Sequence, residues 1–173
     1  MKKYLIFLIP FLFLMAQCHK TPTPDPEPDL PPATQEGKGT IGCYINGKPW
    51  VPKPYIAIGV PHYLEVVFDE SRNNFFGLEA NKDGSFAEQM NIYVQNASLG
   101  RNTIIRFNAE SFYNSNNGNN CFRYYLDTIK PRILDITKLD KEKKIISGTF
   151  EFTAFNNCKD TINITKGRFD ARF

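Results

Sequence analysis

The sequence predicts an all-β protein, an antiparallel β-sandwich or partly open barrel of roughly nine or ten short strands. Three observations lead there. The chain of 173 residues carries 15 Phe and 8 Tyr, side chains that suit pleated, half-buried surfaces. Apolar and polar residues alternate with a period of two in segment after segment after residue 40. Clusters of Asn, Asp, Gly and Ser separate those segments, and no stretch sustains a helical period.

Taken in order, "GTIGCYINGKPWVP" reads as a strand, a tight turn at Asn46-Gly47 and a second short strand. Both turn residues tolerate the positive φ of a type I′ hairpin turn. "HYLEVVFD" sends Leu64, Val66 and Phe68 one way and Tyr63, Glu65 and Asp69 the other. "NFFGLEA" places Phe76, Leu78 and Ala80 on one face, before a turn at Asp83-Gly84. "QMNIYVQN" turns Met90, Ile92 and Val94 inward and Asn91, Tyr93 and Gln95 outward. "NTIIRFNA" is expected as one strand, with Thr103, Ile105 and Phe107 opposite Asn102, Arg106 and Asn108. "CFRYYLD" offers Phe122, Tyr124 and Leu126 against Arg123 and Asp127. "PRILDITKL" and "IISGTFEFTAF" form a hairpin across the charged turn "DKEKK", with Ile146, Gly148, Phe150, Phe152 and Ala154 on one face.

The last segment, "DTINITKGRFDARF", has an irregular pattern. Ile162 and Ile164 stand at even positions, whereas Phe169, Ala171 and Phe173 stand at odd ones. A regular strand would send the two sets to opposite faces, so one extra residue must be inserted, and Gly167 is the expected bulge.

Ahead of the domain, Lys2 and Lys3 precede an apolar run from Tyr4 to Ala16, as in a secretory signal. The run is shorter than the roughly 20 residues a spanning helix needs, and Pro10 interrupts it. "LMAQC" resembles a bacterial lipobox, with Leu14, Met15 and Ala16 as the apolar approach and Gln17 where Gly, Ala or Ser is usual. The resemblance implies cleavage after Gln17 and fatty acylation (palmitate-type) of Cys18. Pro22, Pro24, Pro26, Pro28, Pro31 and Pro32 then read as a stiff, solvated stalk. The expected organisation is a lipoprotein signal peptide at 1–17, a lipidated Cys and proline-rich linker at 18–38 and a single β-sandwich domain at 39–173. Such a protein is lipid-anchored at the outer membrane, on its periplasmic or cell-surface face.

Loss of residues 1–17 removes two lysines, so 21 basic side chains become 19 against 18 acidic ones. A nearly neutral chain without a basic stripe gives no reason to expect nucleic acid as a partner. With Cys18 acylated, Cys43, Cys121 and Cys158 remain, an odd number that cannot all pair. An exported location permits disulfides. Cys121 and Cys158 both border strands and are the favoured pair, leaving Cys43 as a small buried hydrophobe. No spacing of Cys and His suits a metal, so no metal and no cofactor are expected.

Asn46, Gly47 and Trp50 near the start match an N-G-x-x-W opening. Gly148, Phe150 and Phe152, then Gly167, Arg168, Phe169 and Asp170, match a G-x-F-x-F…G-x-F-D close. With these motifs the chain from Thr40 onward resembles a family of Bacteroidetes lipoproteins of unknown function. The resemblance implies a secreted all-β domain and brings no catalytic residues.

No catalytic signature emerges from the residues themselves. His62 lacks a nucleophile at local spacing and reads as a surface histidine. Glu65, Asp69, Glu79 and Glu151 alternate outward, as solvated carboxylates do. "YNSNNGNN" is the candidate ligand loop: the amides of Asn114, Asn116, Asn117, Asn119 and Asn120 suit sugar hydroxyls, and Tyr113 or Tyr125 could stack on a sugar ring. "DTI" occurs at 127–129 and 160–162, resembling a bacterial O-glycosylation motif with Thr128 and Thr161 as acceptors. The expectation is a binding or structural accessory module for glycan or an envelope protein, not an enzyme. A glycan hydrolase and a pilus-type subunit are the alternatives.

Overall fold

The computed structural model describes residues 29–52, 63–82, 88–111, 121 and 123–173. The chain is all-β and antiparallel, as the alternation predicts. Its strands are β1 (Thr40–Ile45), β2 (Lys48–Trp50), β3 (Leu64–Asp69), β4 (Phe75–Lys82), β5 (Glu88–Val94), β6 (Gly100–Thr103), β7 (Arg106–Ser111), β8 (Arg123–Leu126), β9 (Arg132–Asp140), β10 (Ile145–Asn156) and β11 (Thr161–Arg172). Nine strands form one curled sheet, a half-barrel, in the order β2-β1-β11-β10-β8-β7-β5-β4-β3. β9 lies beside β10, and β6 beside β9.

β10 holds this arrangement together. Along one edge it pairs with β11 from Ile145 to Phe155. Its other edge is divided: Ile145 to Phe152 pair with β9, and Ala154 to Asn156 pair with β8. The sheet thus forks at the end of β9 and folds back over itself. Rings from the two halves meet in the core: Phe76 on Phe169 at 5.5 Å, Phe107 on Phe152 at 4.5 Å, and Phe68 on Phe173 at 5.5 Å. Such aromatic pairs add about 0.5–1.5 kcal/mol each beyond the area they bury.

The Asn46-Gly47 turn forms as expected, with φ of 49° and 76°. The predicted inward sets of β4, β5 and β10 are buried, as are Val66 and Phe68 of β3, while Leu64 is partly buried against the core. Around β6 and β7 two expectations require correction. Residues 102–108 are not one strand: β6 pairs with β9, whereas β7 pairs with β5 and β8. Between them the chain crosses from one half of the sheet to the other, so Ile104 is fully buried and Ile105 is 52% exposed. Asn102, expected to face solvent, is buried and caps this crossing, accepting from Ser98 N and donating to the Ser98 and Gly100 carbonyls.

The bulge in β11 is real, but its extra residue is Lys166. Phe150 pairs with Gly167 and Phe152 with Ile164, which leaves one residue over on β11. Lys166 takes the left-handed conformation at φ 52°. Gly167 serves another purpose: a Cβ there would fall 2.3 Å from Phe150 Cε2 and 2.6 Å from its carbonyl oxygen. The position is glycine because Phe150 occupies the space a side chain would need.

The folded unit also begins earlier than residue 39. Leu30 is buried and, with Pro31, lies against Gly42. Residues 34–38 then wrap Asp170, which points away from the core and is only 1% exposed. Its carboxylate accepts from the Thr34 hydroxyl, from the Glu36, Gly37 and Lys38 amides at 3.1, 2.7 and 3.2 Å, and from Ser147 Oγ at 2.7 Å. The last part of the expected linker is therefore clamped onto the sheet. A buried carboxylate is affordable only because so many donors replace its water.

Burial alone would raise the Asp170 pKa, but the Thr34, Ser147, Gly37 and Glu36 hydrogen bonds overcome it and bring the value to about 2. A folded-state pKa below the unfolded value of about 3.9 stabilises the fold above that pH. The contribution is lost as pH falls from about 4 towards 2. Asp170→Asn should cost on the order of 2 kcal/mol at neutral pH, since hydrogen bonds to a charged group are worth about 1.5–3 kcal/mol. Urea melts at pH 7 and pH 2.5 should show a large gap between wild type and variant at the first and a smaller one at the second.

Candidate ligand-binding face

Strand alternation that buries one face of β10 and β8 projects their odd-numbered residues outward. Tyr125 and Phe155 are direct cross-strand partners on that outer face, 40% and 43% exposed. Most large apolar side chains of the domain are buried in the core, so an adjacent exposed aromatic pair stands apart.

Strand register extends this pair into a row across the sheet. Phe155 is opposite Thr161 on β11 and Tyr125 on β8. Tyr125 is opposite Asn108 on β7, Asn108 opposite Asn91 on β5, and Asn91 opposite Glu79 on β4. With strands about 4.8 Å apart, the run from Phe155 to Glu79 is roughly 19 Å long. The far end is ordered by Gln89, whose Nε2 donates to Glu79 Oε1 at 2.7 Å and to Asn91 Oδ1 at 3.5 Å. A second, parallel run is self-contained. Arg72 lies 4.5 Å over Phe75, Phe75 stacks on Tyr93 at 6.0 Å, and Arg106 lies 4.2 Å over Tyr93. Those rings are covered by their own cations, whereas among the described residues no cation lies over Tyr125 or Phe155.

The end of β10 beside the aromatic pair is pinned from several directions. Cys121 and Cys158 form a disulfide, the pair expected from the sequence, and Cys43 is free and buried. Asn156 Nδ2 donates to the Cys121 carbonyl at 2.8 Å, and its Oδ1 accepts from the Cys158 and Asp160 amides at 3.0 and 2.9 Å. On the inner side the Tyr124 hydroxyl donates to Asp160. Burial first, then the Asp160 hydrogen bond and charge, push the Tyr124 pKa up to about 12, so the phenol stays a donor. Burial likewise pushes the Cys43 thiol up to about 12 and keeps it from acting as a thiolate.

Of the residues singled out in the sequence, Tyr125 stands in the row, and Thr161 lies in it next to Phe155. Thr128 is exposed in the turn after β8, where its carbonyl accepts from Arg132 Nη1 at 3.2 Å. Cys18, His62, Tyr113, Asn114, Asn116, Asn117, Asn119 and Asn120 lie outside the described residues, as does the turn at Asp83-Gly84. β7 and β8, which flank the candidate loop in the sequence, pair in register from Asn108–Tyr125 to Glu110–Arg123. Sequence reasoning missed Phe155, although an aromatic among outward Thr153 and Glu151 was the available signal. Among the described residues no group of three or more His, Cys, Asp or Glu is placed to hold a metal ion.

The fold and this face define a half-barrel β domain with an open aromatic–amide surface. Searches against protein-family models, curated proteins and solved structures find no match to the chain.

The disulfide closes a separation of 37 residues, which in the chain-entropy account is worth roughly 4 kcal/mol. Cys158→Ser should lower the melting temperature by many degrees, and reducing agent should reproduce that loss in the wild type. Both effects are read by thermal denaturation followed by circular dichroism.

Proposed function

We propose that this chain is a lipid-anchored binding module of the cell envelope that docks a neutral glycan on the outer face of β10, β8, β7 and β5. The observation that carries the reading is the exposed Phe155–Tyr125 pair continuing into Asn108 and Asn91. Aromatic faces offer broad apolar area to the C–H face of a pyranose ring, and tyrosine adds a polar edge. Side-chain amides both donate and accept, matching the paired demands of sugar hydroxyls. From Thr161 to Asn91 the row carries no charge, which favours a neutral chain over a charged one.

The carboxylates nearest the row fit binding better than hydrolysis. Glu79 is committed to Gln89, and Glu65, its cross-strand partner, stands exposed on the outside of a curled sheet. A glycosidase needs its two carboxyl groups flanking a bond in a site that holds the sugar between them.

The location rests on the sequence alone, on the apolar run, the lipobox-like "LMAQC" and the proline tract that follows. Under this reading acylated Cys18 holds the domain at the outer membrane. Cys18→Ala should move the protein from the membrane pellet to the soluble fraction on cell fractionation, and retention in the pellet would overturn the anchor.

Binding is tested on a glycan array and by affinity electrophoresis in neutral polysaccharides. Tyr125→Ala and Phe155→Ala should each weaken retention about tenfold, equivalent to roughly 1.4 kcal/mol, with unchanged circular dichroism. Full retention by both variants would sink the proposed face. Silence on the array together with capture of an envelope protein would move the ligand class to protein.

A further inference from the structure

A separate cleft opens on the inner side of the sheet, between the β1–β2 hairpin and the strands β4, β5, β7, β8 and β11. Its volume is about 390 Å³, within the range of small-molecule sites. Trp50, Met90 and Ile162 supply an apolar wall, and all three are buried. Its polar groups are few and unevenly committed. Glu88 Oε2 accepts from Trp50 Nε1 at 3.0 Å and pairs with Lys82 Nζ at 3.1 Å. The carboxylate is thus occupied by an indole and an ammonium that the fold itself provides.

Charge then decides what the cleft accepts. Among the described residues that line it, Lys48 and Lys82 outnumber Glu88 by one charge. Lys48 carries that charge: it is exposed on β2 and has no ion-pair partner among the described residues. An entering cation would meet Lys48 and Lys82 and find Glu88 already paired. An entering anion would find, at the rim of an apolar cavity, an ammonium with no carboxylate partner among the described residues.

We infer that the cleft between Trp50 and Met90 binds a small amphipathic carboxylate, its apolar body against Trp50, Met90 and Ile162 and its head at Lys48. The site is distinct from the outer aromatic row and does not depend on the glycan reading. Trp50 is the single tryptophan of the chain, so its emission reports directly on the cleft.

The test titrates the whole chain carrying Cys18→Ala, so that no acyl group competes, with octanoate below its aggregation concentration. Octanol and octylamine serve as probes of equal length. Octanoate should shift Trp50 emission saturably, octanol should bind at least tenfold more weakly, and octylamine should give no saturable change. Lys48→Gln, an exposed substitution, should reduce octanoate affinity about tenfold. Ala109→Phe, which fills the cleft from β7, should abolish the response with the far-ultraviolet spectrum unchanged. Equal responses to the acid, the alcohol and the amine would overturn the inference, as would unchanged octanoate affinity in Lys48→Gln. Absence of any saturable change with octanoate would overturn the cleft as a site, whatever the glycan array shows.

Discussion

Phe150 rests directly on the backbone of Gly167, and the rest of the half-barrel is arranged around that contact. A methyl group at residue 167 would lie 2.3 Å from the ring, so β10 and β11 can approach this closely only with a bare Cα between them. The left-handed Lys166 next to it absorbs the extra residue. It shifts the register of β11 against both neighbours at once, from Gly42 to Tyr44 on β1 and from Phe150 to Phe152 on β10. Bulges increase local twist, and this one lies in the middle of the longest strand pair. The curl it allows lets Phe169 meet Phe76, and so closes one half of the sheet over the other.

Much of this was legible in the residues. Regular alternation identified β3, β4, β5 and β10, because a period of two has a single structural reading when one face is buried. Asn46-Gly47 specified its turn through backbone chemistry alone. The parity switch between Ile164 and Phe169 exposed the bulge, although only the structure shows that Lys166 takes the unusual φ. Other features depend on contacts that no local pattern encodes. The break between β6 and β7 follows from which partners are within reach, and Asn102 looks like any surface amide until Ser98 and Gly100 close around it. Asp170 looked like part of a terminal motif, yet four of its five donors come from more than 130 residues away in the chain. The candidate face was half visible: Asn91, Asn108 and Tyr125 could be placed outward, but their alignment into one row requires the register of four strands.

β8 connects the two proposed sites. Tyr124 lines the inner cleft and Tyr125 stands on the outer face, neighbours whose side chains point to opposite sides of the sheet. The same polar knot steadies both, since Asp160 holds the Tyr124 hydroxyl and Asn156, next to Phe155, ties Cys121 to the Cys158 turn. Among the described residues both sites are built mainly from strand positions. That is the arrangement in which a binding surface loses least entropy on engaging a ligand.

The clamp around Asp170 gives the molecule a mechanical direction. Any pull on the chain from its N-terminal side reaches the domain at Leu30 and Thr34, and its first resistance is the group of donors gathered on one carboxylate. Behind that lie β1 and β11, zipped together along most of the length of β1. Tension therefore enters β11 at Asp170 and has to travel the length of that strand to reach Thr161, where β11 borders the aromatic row.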